Sequence, residues 1–283
     1  MQERGNDRNM AKTIEELTIT DDFMFGAVMR DPKRCKPLLE IILGVKIKKI
    51  TYPELQKVID KRYDSKSIRL DVYVEGDENI VYNVEIQTTE KKNLPKRMRY
   101  YQGMLDINIL EKGQDYTDLK KSFIIFICTY DPFGEEKYSY TFENRCADNH
   151  ELLLGDEATK IVLNTKGTKG EASRELKQLL HFMDGMEPEN DYTKELEKAV
   201  TQVKESEEWR REFMLMMERD RDNIKIGKLS EKIAAVREFS QEFEGEQLAK
   251  YARTKPETVS VILNLIDEHP EWDDERIAEE MLF

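Results

Sequence analysis

Ile68-Arg69-Leu70-Asp71-Val72-Tyr73-Val74-Glu75, then Gly76-Asp77-Glu78-Asn79, then Ile80-Val81-Tyr82-Asn83-Val84-Glu85-Ile86-Gln87 follow one another without a break. Both outer pieces alternate with period two, the pattern of half-buried strands. Ile68, Leu70, Val72 and Val74 share one face of the first, and Ile80, Tyr82, Val84 and Ile86 one face of the second. Gly76 and Asn79 suit the turn between them. A hairpin centred on Glu78 sets Leu70 opposite Ile86, Val72 opposite Val84 and Val74 opposite Tyr82, so every apolar residue meets an apolar partner. A slip of one residue would destroy that match. The same register sets Asp71 opposite Glu85 and Arg69 opposite Gln87 on the other face, within reach of one another.

Working outward, Asp22-Phe23-Met24-Phe25 opens a helix, with Thr20, Asp21 or Asp22 as its cap. Asp31-Pro32 restarts a helix that carries Glu40 and ends at Gly44. Val45–Lys48 alternates as a short strand continuing toward Ile50, and Tyr52–Lys66 reads as irregular. Beyond the hairpin, Asn93 and Pro95 begin a helix with Leu94, Met98, Tyr101, Leu105 and Ile109 at helical spacing. Five of the nine residues from Lys91 to Arg99 are basic, and a basic helix N-terminus attracts phosphate. Ser122–Cys128 is a continuous apolar run expected to be a strand buried on both faces. Tyr138–Phe142 and Thr159–Leu163 are further strands. The order predicts an α/β core with a mixed sheet. From Glu171 onward the pattern is helical, with a long charged segment over 191–223, a break at Gly227, and a helix-turn-helix look over Leu248–Ile266.

The chain has 283 residues, 36% of them charged and 39% apolar, and a net charge of −13. The charge is uneven: residues 1–100 hold 20 Lys and Arg against 17 Asp and Glu, whereas 101–283 hold 25 against 41. That balance argues against indiscriminate nucleic-acid binding, and 251–283, with 3 basic against 9 acidic residues, lacks the footprint of a DNA-reading tail. No run approaches a membrane span, and polar Met1–Met10 is expected to be a frayed tail rather than a signal peptide. Cys35, Cys128 and Cys146 form neither a metal motif nor a disulfide framework, which makes a cytoplasmic location the expectation.

Opposed carboxylates repel each other in a dry site unless a cation sits between them. Oxygen-only ligation favours Mg²⁺ or Mn²⁺; without an ion, Asp71 and Glu85 would be a solvated acidic face. Asp71 with Glu85-Ile86-Gln87, flanked in order by the blocks Thr20–Phe25, Arg69–Val72, Asn83–Gln87, Arg99-Tyr100-Tyr101, Tyr140–Phe142 and Asn164–Gly167, resembles the PD-(D/E)XK nuclease superfamily. The closer resemblance is to the Rpn family of recombination-promoting nucleases and transposases, over roughly residues 18–185.

The resemblance implies a restriction-endonuclease-like mixed sheet flanked by helices and followed by an α-helical C-terminal region. The domains expected are a tail over 1–17, a nuclease-like domain over 18–185, a charged helical segment over 186–245 and a small helical tail over 246–283. It implies a metal-dependent DNA endonuclease, with Asp71 and Glu85 as catalytic metal ligands and Gln87 where many members of the superfamily have lysine. Glu40 or Asp22 is the expected further carboxylate, and Lys66 or Arg69 the expected substitute for the lysine. Lys66, Arg69, Lys96, Arg97, Arg99 and Tyr101 are the expected DNA contacts. A homodimer through the long helix is a further expectation. The competing reading is a module that keeps the fold and binds DNA or regulates without cutting.

Overall fold

The protein is seen here in a computed structural model that describes residues 12–51, 54–59, 68–76 and 79–282, apart from the side chains of 55–59, 68 and 69. The central hairpin comprises β2 (Ile68–Gly76) and β3 (Ile80–Gln87). They pair antiparallel with Val72 opposite Val84, Val74 opposite Tyr82 and Gly76 opposite Ile80, the register that the apolar alternation demands. The hairpin's expected centre, Glu78, lies outside the described residues. Around it stand β1 (Glu54–Ile59), β4 (Lys121–Cys128), β5 (Ser139–Phe142) and β6 (Ala158–Asn164), giving a six-stranded sheet in the order β1-β2-β3-β4-β6-β5. The β3–β4 and β4–β6 pairs are parallel and the others antiparallel, so the sheet is mixed, as expected.

The hairpin is not half-buried. From Val81 to Gln87 every residue of β3 is buried, because the face that carries Tyr73 and Val81 is covered by α3 (Leu94–Ile109). Leu94, Met98, Tyr101 and Leu105 of α3 join Ile124, Phe126, Cys128 and Val162 in one core. Each such side chain removed from water contributes roughly 1.5–3 kcal/mol. The polar residues Asp71, Asn83, Glu85 and Gln87 on this face are therefore buried and not in solvent.

α1 (Asp22–Met29) and α2 (Pro32–Leu43) precede the sheet. Asp31 caps α2 by accepting from the Lys33 N–H, and Gly44 ends it in the left-handed conformation at φ 66°. Two expectations fail near here. Val45–Lys48 is not a strand: the Ile47 N–H is taken by the Glu40 carboxylate at 2.9 Å, and only Ile50 makes a bridge, to Gly76. The stretch expected to be irregular contains β1, which pairs with β2 from Glu54–Tyr73 to Ile59–Ile68.

After the sheet come α4 (Arg174–Met183), α5 (Asp191–Glu205), α6 (Glu207–Phe239), α7 (Gly245–Tyr251), α8 (Pro256–Glu268) and α9 (Asp274–Leu282). Packing divides the chain into two compact units, one ending at Arg210 and one starting at Arg211. The expected break at Gly227 is absent. A lone helical glycine costs only about 1 kcal/mol against alanine, and buried Ile226, Ile233 and Val236 hold that part of α6 in the core of the second unit. The helix ends instead fall at Ser206, which closes α5 in extended conformation and accepts from the Arg210 N–H. Leu248, Ala249, Val259, Ile262, Ile277 and Ala278 complete the second core. Among the described residues no helix is long and apolar enough to cross a membrane.

Candidate active site

β2 and β3 part company where the acidic residues stand. Their ladder runs only as far as Val72–Val84; beyond it β2 continues beside β1, while β3 continues beside β4 to Gln87–Cys128. Backbone donors buried in such a gap need partners, and the carboxylates supply them crosswise. Glu85 Oε1 accepts from the Asp71 N–H at 3.1 Å, and Asp71 Oδ2 accepts from the Ile86 N–H at 3.0 Å. Asp71 is 8% exposed and Glu85 wholly buried. The register read from sequence thus brings the two acids together, but each is bonded to the other's strand and neither lies on an open face.

Burial, reinforced by the charge of Asp71, holds the Glu85 carboxyl well above the ordinary carboxylate range, and Arg97 opposes that shift. Arg97 reaches the pair from the first turn of α3. Its Nη2 donates to Glu85 Oε2 at 3.3 Å, its Nη1 to Gln87 Oε1, and its Nε to the Tyr101 hydroxyl at 3.1 Å. The guanidinium carbon lies 5.2 Å from the ring centroids of both Tyr101 and Phe126. Burial works against the Arg97 charge, yet Tyr101 and Glu85 outweigh it and hold its pKa above the ordinary value. Burial and the Glu85 charge raise the Tyr101 phenol in turn. Gln87 is engaged at both ends, since its Nε2 donates to the Thr89 carbonyl at 2.6 Å.

Asp71, Glu85, Gln87, Arg97 and Tyr101 therefore form one constellation at the C-terminal end of β3. The other expected residues do not join it by any described contact. Glu40 is committed locally: besides the Ile47 N–H it has Lys46 Nζ at 3.3 Å and Lys36 Nζ at 3.8 Å. Burial would raise its pKa, but the Ile47 N–H and Lys46 hold it below the ordinary value. Asp22 lies exposed in the first turn of α1. Among the described residues no three His, Cys, Asp or Glu side chains converge as a metal site. Lys96 and Arg99 are exposed on α3. Lys66 and the side chain of Arg69 lie outside the described residues.

Two roles escape a reading by sequence. Arg97 is expected only to hold a DNA backbone, yet it bonds to both Glu85 and Gln87; its four-residue spacing to Tyr101 is the one local signal. Asn83, fully buried two residues before Glu85 on the same face, favours the ionised form of Glu85 through its amide without reaching hydrogen-bond geometry.

A family model described as PD-(D/E)XK nuclease family transposase matches residues 23–232. No curated protein matches the chain significantly, and no solved structure does. The family match takes in the whole sheet, both carboxylates and α3, and well over half of the sequence. The chain belongs to the PD-(D/E)XK nuclease family transposases.

Proposed function

We propose that the protein is a divalent-metal-dependent DNA endonuclease that hydrolyses phosphodiester bonds in recombination or transposition. The observation that carries this reading is the buried Asp71–Glu85 pair, held crosswise between diverging strands. The donor set is hard oxygen only, and the shifted Glu85 pKa records how poorly the second negative charge is compensated. Both features fit Mg²⁺ or Mn²⁺ held by Asp71 and Glu85, with water completing the coordination. When bound there, such an ion would polarise the phosphodiester and make water a stronger nucleophile. Gln87 orients Arg97 through its carbonyl, while exposed Lys96 and Arg99, with the N-terminus of α3, hold the DNA backbone.

Supercoiled plasmid incubated with the protein and Mg²⁺ or Mn²⁺ tests the proposal. Cleavage should fall at least ~10²-fold in Asp71→Asn and Glu85→Gln, the scale on which loss of one transition-state-stabilising group is felt; cleavage unchanged in both variants would overturn it. The second reading, a DNA-binding module that does not cut, draws on the neutral and doubly engaged Gln87. Plasmid bound but left intact in both metals would establish that reading.

A further inference from the structure

We propose that Arg97 binds the DNA phosphate placed at the Asp71–Glu85 pair, supplying positive charge to it from α3. The inference rests on the nuclease reading above. A phosphodiester approaching Asp71 and Glu85 meets two acids and, in Gln87, a side chain without charge. The cation bonded to Glu85 is Arg97.

A guanidinium has five N–H donors. Three are engaged, by Tyr101, Gln87 and Glu85. Two remain, one on each terminal nitrogen, and they have no partner among the described residues. The side chain is still 28% exposed, so a polyanion can reach it. Terminal N–H groups on a planar fork match two oxygens of a phosphate, and a fork that is already fixed loses little freedom on binding. Tyr101 and Gln87 provide that fixing, together with the rings of Tyr101 and Phe126 beside the guanidinium.

The hold on Glu85 is the loosest of the contacts. At 3.3 Å it is longer than the roughly 2.7–2.9 Å of a tight charge-assisted bond. Arg97 can therefore offer the remaining N–H groups of Nη1 and Nη2 to a phosphate while Gln87 and Tyr101 hold the guanidinium plane in place, and the Glu85 contact is the one most easily given up. A residue serving only as a counter-ion to Glu85 would show no such demand for DNA.

The test separates this contact from catalysis. Metal-free full-length protein in EDTA is titrated against a fluorescein-labelled duplex at several salt concentrations, comparing Glu85→Gln with Glu85→Gln/Arg97→Gln. Neutralising Glu85 in both means that loss of Arg97 does not leave the Glu85 carboxylate unpaired, and thermal melts confirm folding. Loss of one phosphate contact should weaken binding and shrink the slope of log K against log salt by about 0.9. Glu85→Gln/Arg97→Lys, which keeps the charge, should keep the slope. In Mg²⁺, Arg97→Gln alone should cut plasmid cleavage ~10²–10³-fold. An unchanged slope in the double variant, or cleavage by Arg97→Gln equal to wild type, would overturn the inference while leaving the nuclease reading intact. A reduced slope in a protein whose wild type never cleaves would uphold the phosphate contact and remove the nuclease reading instead.

Discussion

Replacing Glu85 by glutamine should change how the stability of the sheet unit depends on pH. Burial and the neighbouring Asp71 raise the native Glu85 pKa above its ordinary 4.5. A carboxyl raised on folding holds its proton more tightly in the native state than in the unfolded chain. Its contribution to stability is therefore complete below about pH 4.5 and is lost as pH climbs through the raised native value. Within that window the unfolded state has released a proton that the native state retains, so the loss approaches about 1.4 kcal/mol per pH unit. Arg97 weakens the fall without reversing it. Asp71 acts on Glu85 through its charge, so the measured quantity reflects both residues. Urea unfolding in EDTA at stepped pH gives the curve. Trp209, edge-on to Phe23 at 5.9 Å, reports the first unit once Trp272 is replaced by Phe. Wild-type stability minus that of Glu85→Gln should decrease as pH rises from about 4.5. A difference that is flat, or that grows with pH, would refute the reasoning, because Glu85 would then be ionised in the fold and fully compensated by Arg97.

Three further outcomes follow from particular contacts. Gly167→Ala would drive a Cβ to 2.6 Å from Tyr138 Cα and 2.7 Å from Tyr138 N; backbone gives way poorly, so the variant should lose about 1–3 kcal/mol or more in urea unfolding, and wild-type stability would contradict the close crossing. Glu40→Gln keeps an acceptor for the Ile47 N–H and forfeits only surface pairing with Lys46 and Lys36, so it should cost no more than about 1 kcal/mol and leave plasmid cleavage unchanged; a loss of cleavage would make Glu40 part of the site. Burial pushes the Cys35 and Cys128 thiols up to about 12, whereas Cys146 is partly accessible. Iodoacetamide at pH 8 should therefore add one group to the native protein, at Cys146, and mass spectrometry finding all three modified would contradict the buried positions.

The hairpin was legible because strict alternation leaves one register in which apolar residues meet, and that register alone brings Asp71 to Glu85. What it concealed was the depth of the site. Alternation marks two faces but does not say that α3 covers the polar one, so a pair readable as half-exposed is buried. β1 was missed because Leu55 and Val58, three apart, show no alternation, and its pairing with β2 leaves no mark on its own sequence. Ser206 followed by Glu207-Glu208 carries a legible helix-start signal, while Gly227 is a weak breaker that core packing overrides. The Arg97 contact joins residues 10 and 12 positions apart, across a turn whose course no periodicity specifies.

Calorimetric titration of the metal-free protein with Mn²⁺ tests the central claim most directly. The account predicts metal binding in wild type that Asp71→Asn and Glu85→Gln each abolish and that Glu40→Gln preserves. Binding of equal affinity and stoichiometry in all four proteins would contradict it.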